Sequence, residues 1–296
     1  MQPLAGMLVV DFSRYLPGAF ASRELLELGA RVVCVEPPGG DPLRHTAPAW
    51  DAALRAGKES LELDLKREPG PALRLVREAD VVLESFRPGV ASRLGIGPEH
   101  APDRTVYCSI TGFGLGGRHE QRAGHDLNYL GWAGALWDTA PGLPPVQIAD
   151  LAAGALGAVT KIVAALLERE RTGTGSHVVV SMTHGSHRLV AHRLEGEPVP
   201  RMLTGGLACY RIYETADGRH LTVAALEPAF FSRLTELLGR PELEERQFDP
   251  DQESLAAELA GLFGARPLAH WLELLEAEDV CVGPVATIAE AASDLL

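Results

Sequence analysis

The chain has 296 residues, of which 46% are hydrophobic and 23% are charged, so it can bury a large core and is expected to form one large domain and one smaller domain. Its formal net charge of -13 and the absence of a dense block of Lys and Arg argue against nucleic acid as a partner, because the counterion release that drives such binding is missing. No uncharged apolar run is long enough to cross a bilayer, and the first residues lack the pattern of a signal peptide, so we expect a cytoplasmic protein without a membrane partner.

The first predicted elements form a crossover unit. Met7–Phe12 and Arg31–Glu36 have the apolar runs of buried strands, and the helix predicted between them ends at Leu28-Gly29. A strand, a helix and a strand within about thirty residues form a right-handed crossover, which predicts a parallel sheet with covering helices. Only Gly18 of the dinucleotide-binding glycine pattern is present in the first loop, so the start is Rossmann-like but gives little support to a nicotinamide cofactor.

The next segment is predicted to continue the α/β alternation up to about residue 185. Glu36–Arg44 is predicted to be an extended loop because it contains three prolines and two glycines. Leu61–Lys66 alternates apolar and charged residues as a half-exposed strand does. The remaining elements predicted here are a helix at Gly70–Glu78 and strands at Ala79–Phe86, Thr105–Ile110 and His177–Met182.

The segment Gly124–Asp150 carries an imidazole and two carboxylates. Apolar residues recur at helical spacing after Asp126, so Asp126 is predicted to be an N-cap, with His125 on the preceding loop. A stripe of small residues after Asp150 predicts a second helix that Asp150 caps. Taken alone, this pattern is explained by two capped turns. Strand-to-helix connections form the ligand crevice of doubly wound sheets, however, so these side chains are also candidate functional groups.

The domain boundary is predicted at a polar, proline-containing stretch. This stretch is Gly196–Pro200, and we predict a large domain at 1–190, a linker at 191–203 and a small domain at 204–296. A hairpin turn predicted at Asp217-Gly218 indicates that the small domain is α+β. Its helices are predicted to begin at Pro228, Gln252 and Pro267.

Several segments in the same order resemble the family III CoA transferases. They are Pro3–Gly6, Leu28–Ala30, Gly57–Lys66, Phe86–Gly89 and Arg93–Gly95, and the resemblance runs through Val285. Gly124–Tyr129 and Leu226–Phe231 are similar to the α-methylacyl-CoA racemase branch of that superfamily. The resemblance implies a large Rossmann-like parallel-sheet domain and a smaller α+β domain in an interlocked homodimer with shared active sites. It also implies acyl-CoA thioester chemistry without a metal or cofactor, CoA being part of the substrate.

The resemblance also implies roles for individual residues. His125 and Asp150 would transfer protons, Glu227 would orient the histidine of the other subunit, and the backbone N–H of Asp126 would hold the thioester oxygen. The positions that line the CoA site in relatives are Leu63, Leu65, Lys66, Arg93 and Tyr129.

The chain departs from the family pattern in three places. Pro37 stands where many relatives have a basic residue that meets CoA, and either Arg44 or Arg31 could substitute for it. Arg55-Ala56 replaces a common Asn-Arg pair. The sequence stops at Asp294–Leu296, where relatives continue for several dozen residues, which predicts either an altered closure of the fold or a truncated sequence.

The predicted reaction inverts the carbon next to the carbonyl of 2-methylacyl-CoA thioesters. A proton must leave one face of this carbon and another must return to the opposite face, so two groups with suitable protonation states are needed. His125 and Asp150 fit this need, because histidine ordinarily titrates near neutrality and a carboxylate shielded from water has a raised pKa. Amide donors at the helix start after Asp126 would stabilise the enolate.

Two alternative functions stay open. In a family III CoA transferase, Asp150 would attack the acyl-CoA carbonyl and form a mixed anhydride, whereas His125 and Glu227 together favour the racemase. Pro37 and the early chain end motivate the third hypothesis, an inactive acyl-CoA-binding dimer.

The sequence gives no pattern for a metal. Four histidines lie in the last predicted strand of the large domain or after it, and they do not share metal-ligand spacing on one face; they are His177, His184, His187 and His192. The four cysteines are scattered and none is paired at Cys-x-x-Cys spacing, so neither structural zinc nor a disulfide framework is expected.

Overall fold

The computed structural model describes residues 1–195, 201–275 and 277–295. The chain divides into two compact units, Met1–His192 and Arg193–Leu296. The stretch 196–200, at the centre of the predicted linker, lies outside the described residues. Each unit has its own hydrophobic core and its own sheet.

The large unit is built on a six-stranded parallel sheet with the order β3-β2-β1-β4-β5-β6. Its strands are β1 (Leu8–Asp11), β2 (Arg31–Glu36), β3 (Glu59–Glu62), β4 (Val81–Glu84), β5 (Val106–Thr111) and β6 (His177–Ser181). The order reverses between β1 and β4, which makes this point the switch point of a doubly wound sheet. The predicted Rossmann-like parallel sheet is therefore confirmed.

Helices cover both faces of this sheet. They are α1 (Tyr15–Glu27), α2 (Leu43–Thr46), α3 (Pro48–Arg55), α4 (Pro69–Glu78), α5 (Val90–Arg93), α6 (Asp126–Ala133), α7 (Gly157–Thr172) and α8 (Met182–Val190). Alternate strand residues point to opposite faces, so Val9 and Leu83 join one core cluster while Val10 and Val82 join the other. Burial on both faces explains why these strands are continuous apolar runs in the sequence.

A π-helical segment, Ala149–Leu156, runs directly into α7. The combined helix, Ala149–Thr172, has 24 residues and is long and apolar enough, by length and composition, to cross a membrane. Ala158, Ile162 and Leu166 on this helix are buried in the core of the large unit. Packing against the sheet therefore accounts for part of its apolar composition.

The small unit combines a three-stranded antiparallel sheet with helices. The strands, in the order β7-β8-β9, are Tyr210–Glu214, His220–Ala224 and Val282–Pro284. The helices are α9 (Pro228–Leu237), α10 (Gln252–Phe263), α11 (Leu268–Leu275) and α12 (Ile288–Leu295). Phe231, Phe263 and Trp271 lie in its core, and the Trp271 indole donates a hydrogen bond to the Phe263 carbonyl at 2.9 Å. The predicted α+β character is confirmed.

Two predictions about the chain after β2 were wrong in detail. The predicted loop at Glu36–Arg44 ends early, because the Asp41 carboxylate accepts the N–H of Leu43 at 2.8 Å where α2 begins. The predicted strand at Leu61–Lys66 is displaced, since β3 ends at Glu62. Leu63 and Leu65 follow it as buried core residues, and their burial produces the apolar alternation that resembled a strand.

Gly185 permits a close approach between α8 and the π-helical segment. A Cβ at this position would lie 2.7 Å from the Cβ of Ala153, closer than two carbon atoms can approach. Gly185→Ala is therefore expected to lower the free energy of unfolding by about 1–3 kcal/mol, measured by urea denaturation. The matched control is Gly261→Ala in α10, where a Cβ meets nothing within 4 Å, and it should be stabilising by about 0.5–1 kcal/mol. Unchanged stability of Gly185→Ala would contradict the close contact.

Candidate active site

A cleft of ≈ 480 Å³ opens in the large unit at the carboxyl ends of the central strands. Residues that follow β1, β4 and β5 line it, including Arg14, Tyr15, Ser85, Phe86 and Gly112. His125, Tyr129 and Asp150 line the same cleft. The cleft includes the switch point of the sheet, which is where doubly wound sheets bind ligands.

His125 is the N-cap residue of α6. Its backbone is extended, its N–H donates to Asn128 Oδ1 at 3.1 Å, and its carbonyl accepts the N–H of Asn128 at 2.8 Å. The prediction that Asp126 is the cap was wrong by one residue, since Asp126 is the first residue of the helix. This cap fixes the backbone of His125, whose side chain is exposed in the cleft.

Asp126 connects the two helices of the predicted site. Its Oδ1 accepts a hydrogen bond from the backbone N–H of Asp150 at 2.9 Å. Asp150 lies in the first turn of the segment Ala149–Leu156, which Ile148 precedes as N-cap, so the prediction that Asp150 caps this helix was also wrong. The element before Asp150 in the chain is the helix α6 and not a strand, so Asp150 does not follow a strand end. Short π-helical segments are frequent at functional sites.

The carboxyl group of Asp150 has an unusual protonation equilibrium. Burial, and secondly the neighbouring charge of Asp126, raise the pKa of Asp150 from its ordinary 3.8 to about 7. Both its protonated and ionised forms are therefore populated near neutral pH, so it can donate or accept a proton. Burial and the charge of Asp150 also raise the pKa of Tyr129 to about 12, which keeps the phenol protonated as it donates to the Gly124 carbonyl.

The other predicted CoA-site residues lie outside the lining of this cleft. The side chains of Leu63 and Leu65 are buried in the core, so only their backbone could meet a ligand. Lys66 and Arg93 are exposed and do not line the cleft.

Glu227, which the resemblance gives the role of orienting the histidine, belongs to the small unit, where it is exposed as the N-cap residue of α9.

Three arginines that the sequence analysis missed line the cleft: Arg14, Arg87 and Arg122. Arg14 and Arg87 come shortly after the carboxyl ends of β1 and β4. Because ligands bind at these strand ends in doubly wound sheets, this position in the sequence could have identified both arginines as candidate ligand-binding residues. They provide positive charge for an anionic ligand. Among the described residues, no group of three or more His, Cys, Asp and Glu side chains is placed to hold a metal ion.

The sequence profile of CoA-transferase family III matches residues 4–295. The chain belongs to this family. The resemblance found in the sequence is thus confirmed over nearly the whole chain.

Members of the family with different activities are similar to this chain. Human α-methylacyl-CoA racemase is 36% identical over 308 residues, which cover 97% of this chain and 78% of the human protein. Acetyl-CoA:oxalate CoA-transferase from Acetobacter aceti is 32% identical over 323 residues, covering 98% and 82% of the two chains. Rv3272 from Mycobacterium tuberculosis has a crystal structure that matches with a TM-score of 0.83 and 31% identity, covering 99% of this chain and 85% of that one. Both racemases and transferases are therefore relatives of this family III protein.

The raised pKa of Asp150 predicts a pH-dependent cost in stability. The folded protein binds the Asp150 proton more tightly than the unfolded chain does. Protonated Asp150 therefore contributes its full stabilisation of the fold below a pH of about 3.8, and this contribution is lost as the pH rises through about 7. Asp150→Asn cannot ionise and should exceed the wild type in unfolding free energy by about 1–2 kcal/mol at a pH of about 8, after allowance for partial exposure. The difference should shrink toward a pH of about 4.

Denaturant unfolding at both pH values measures this difference. The control is Asp103→Asn, which removes an exposed carboxylate and should leave the pH dependence of stability unchanged. Parallel pH dependences for Asp150→Asn and the wild type would show that Asp150 does not carry the raised pKa.

Proposed function

We propose that the protein is an α-methylacyl-CoA racemase-like isomerase that inverts the α-carbon of 2-methylacyl-CoA thioesters. The observation that carries the proposal is one cleft that holds the His125 imidazole together with the Asp150 carboxyl, whose pKa is raised to about 7. Racemisation needs two groups that can each act as acid and as base, because the roles exchange with the direction of reaction.

The proposed mechanism has two proton transfers. In one direction the Asp150 carboxylate removes the α-proton and the electron pair of the C–H bond moves into an enolate, which then receives a proton from the His125 imidazolium on the opposite face. In the other direction neutral His125 removes the proton and the protonated Asp150 returns one. The negative charge on the thioester oxygen would meet the N–H of Asp126 in the first turn of α6, where helix amides lack partners within the helix.

Positive charge in the cleft supports an acyl-CoA substrate. Arg87 and Arg122 are exposed at its lining, and the guanidinium of Arg122 lies 4.9 Å from the ring centre of Trp132. Such stacking restrains the cation but leaves its charge available to a phosphate. Lys66 and Arg93 are exposed elsewhere and would meet a more distant part of the nucleotide. The proposal includes no further cofactor, since CoA belongs to the substrate.

A CoA transferase is the second candidate, and the placement of Asp150 in the cleft together with the Acetobacter relative supports it. An attacking carboxylate must be ionised, however, and a pKa of about 7 leaves Asp150 partly protonated near neutral pH. This protonation equilibrium, together with the His125 imidazole that lines the same cleft, favours proton transfer over acyl transfer.

The racemase proposal predicts different losses for the two bases. His125→Ala should lose α-proton exchange from the enantiomer whose proton faces the imidazole and retain part of the exchange of the other, because Asp150 remains. Asp150→Ala should show the reverse preference. Incubation of each enantiomer of a 2-methylacyl-CoA ester in heavy water, followed by mass spectrometry, measures both exchanges.

The exposed Asp103→Asn serves as the control and should exchange both enantiomers at the wild-type rate. The racemase proposal fails if neither base substitution affects exchange while Asp150→Ala abolishes acyl transfer from an acyl-CoA to a free acid. The transferase then replaces it.

We further propose a homodimer in which Glu227 orients His125 of the other subunit, as the family resemblance implies. The exposure of Glu227 at the start of α9 supports this role, because the carboxylate is available to another chain. Mixing His125→Ala subunits with Glu227→Ala subunits should restore some activity, since a mixed dimer has one intact pair. Activity that stays absent in mixed dimers verified by mass spectrometry would argue for sites within one subunit.

A further inference from the structure

Tyr15 has a backbone conformation that needs an explanation. It is the first residue of α1 and has φ = 62°, in the left-handed region that bulky residues rarely adopt. Its N–H points at the carboxylate of Asp41, with distances of 3.2 and 3.4 Å to the two oxygens. Asp41 is 2% exposed and lies 3.9 Å from the guanidinium of Arg55. A buried carboxylate therefore holds the unusual backbone in place.

The residue before Tyr15 is fixed as well. The N–H of Arg14 donates to Ser85 Oγ at 2.9 Å, just beyond β4, and its guanidinium donates to the carbonyl of Val35 in β2 at 2.8 Å. The turn after β1 is thus bonded to the strands on both of its sides. With the backbone fixed at two successive residues, the direction of the Tyr15 side chain is determined by the scaffold.

This direction brings the ring of Tyr15 to His125. The two ring centres are 6.1 Å apart and the ring planes make an angle of 85°, an edge-to-face arrangement. Both residues line the cleft, and Tyr15 is 46% exposed there. Conformational strain that the surroundings enforce at a cleft is typical of residues with a functional role.

We propose that Tyr15 is a positioning residue for His125: its ring restricts the imidazole to the orientation from which it exchanges a proton with the substrate. The inference rests on the proposed racemase and extends it to a residue outside the proton-transfer pair. An imidazole that rotates freely spends less time aligned with the α-carbon, so loss of the restraint lowers kcat more than it changes KM.

Two substitutions distinguish the effect of the Tyr15 ring from the effect of its backbone conformation. Tyr15→Phe keeps the ring and removes the hydroxyl, whereas Tyr15→Asn removes the ring but tolerates the left-handed backbone. Inversion by Tyr15→Phe should stay within about twofold of the wild type. Tyr15→Asn should lose about tenfold or more in kcat in both directions, with a smaller change in KM. If Tyr15→Asn folds poorly, Tyr15→Gly, which also accepts this φ, repeats the test.

An NMR experiment on the substrate-free protein tests the contact without any activity. In protein labelled with ¹³C-histidine, the ring signal of His125 is identified by its absence from His125→Asn. This signal should shift in Tyr15→Asn, because the ring current of Tyr15 is lost, and stay near its wild-type position in Tyr15→Phe. An unshifted signal in Tyr15→Asn, or a kcat within about twofold of the wild type, overturns the proposal.

The two experiments distinguish failure of the inference from failure of the proposed function. If the wild type inverts no 2-methylacyl-CoA ester, the racemase proposal fails. The NMR comparison then decides by itself whether Tyr15 restrains the imidazole, and an unshifted signal rejects this role.

Discussion

The hydrogen bond from the Asp150 N–H to the Asp126 carboxylate joins the starts of two helical segments of the large unit. An N–H in the first turn of a helix lacks a partner within the helix, so a carboxylate from outside satisfies it. Because Asp126 directly follows His125, this bond ties the imidazole to the same cleft as the Asp150 carboxyl. It also holds a negative charge near Asp150, which adds to the effect of burial on its pKa. One contact therefore contributes to both the geometry and the protonation of the site.

The small residues of the π-helical segment allow Asp150 to be partly buried. Gly154 faces Met182 so closely that a Cβ would lie 3.0 Å from its Cγ, and Gly185 approaches Ala153 in the same way. Larger residues would push this segment away from α8 and open the region around Asp150 to water. Burial is the larger cause of the raised pKa of Asp150. The packing of these small residues, which do not themselves need to touch a ligand, therefore helps to keep this pKa high.

The parallel sheet explains why the cleft lies where it does. Helices leave β1 and β4 toward opposite faces at the switch point, and the space between the two connections remains open. Hydrogen bonds between Arg14 and Ser85 fix the two sides of this opening, and the buried Asp41 fixes Tyr15 at its edge. The cleft is therefore bordered by a rigid turn on the side of Tyr15, which suits the proposed racemase, in which a substrate carbon would lie between two bases.

The sequence by itself determined the family and five of the six strands of the parallel sheet, β1, β2, β4, β5 and β6, because both depend on local patterns. Arg31–Glu36 has the predicted bounds, since a strand buried on both faces is a continuous apolar run. Only the tertiary structure decided the cap of α6 and the place of the Asp126 carboxylate next to Asp150. Asp126 has the side chain of an N-cap, but its carboxylate bonds a residue 24 positions later. Hydrogen bonds between residues far apart in the chain exist only once the sheet and its helices have packed, so no local pattern predicts them.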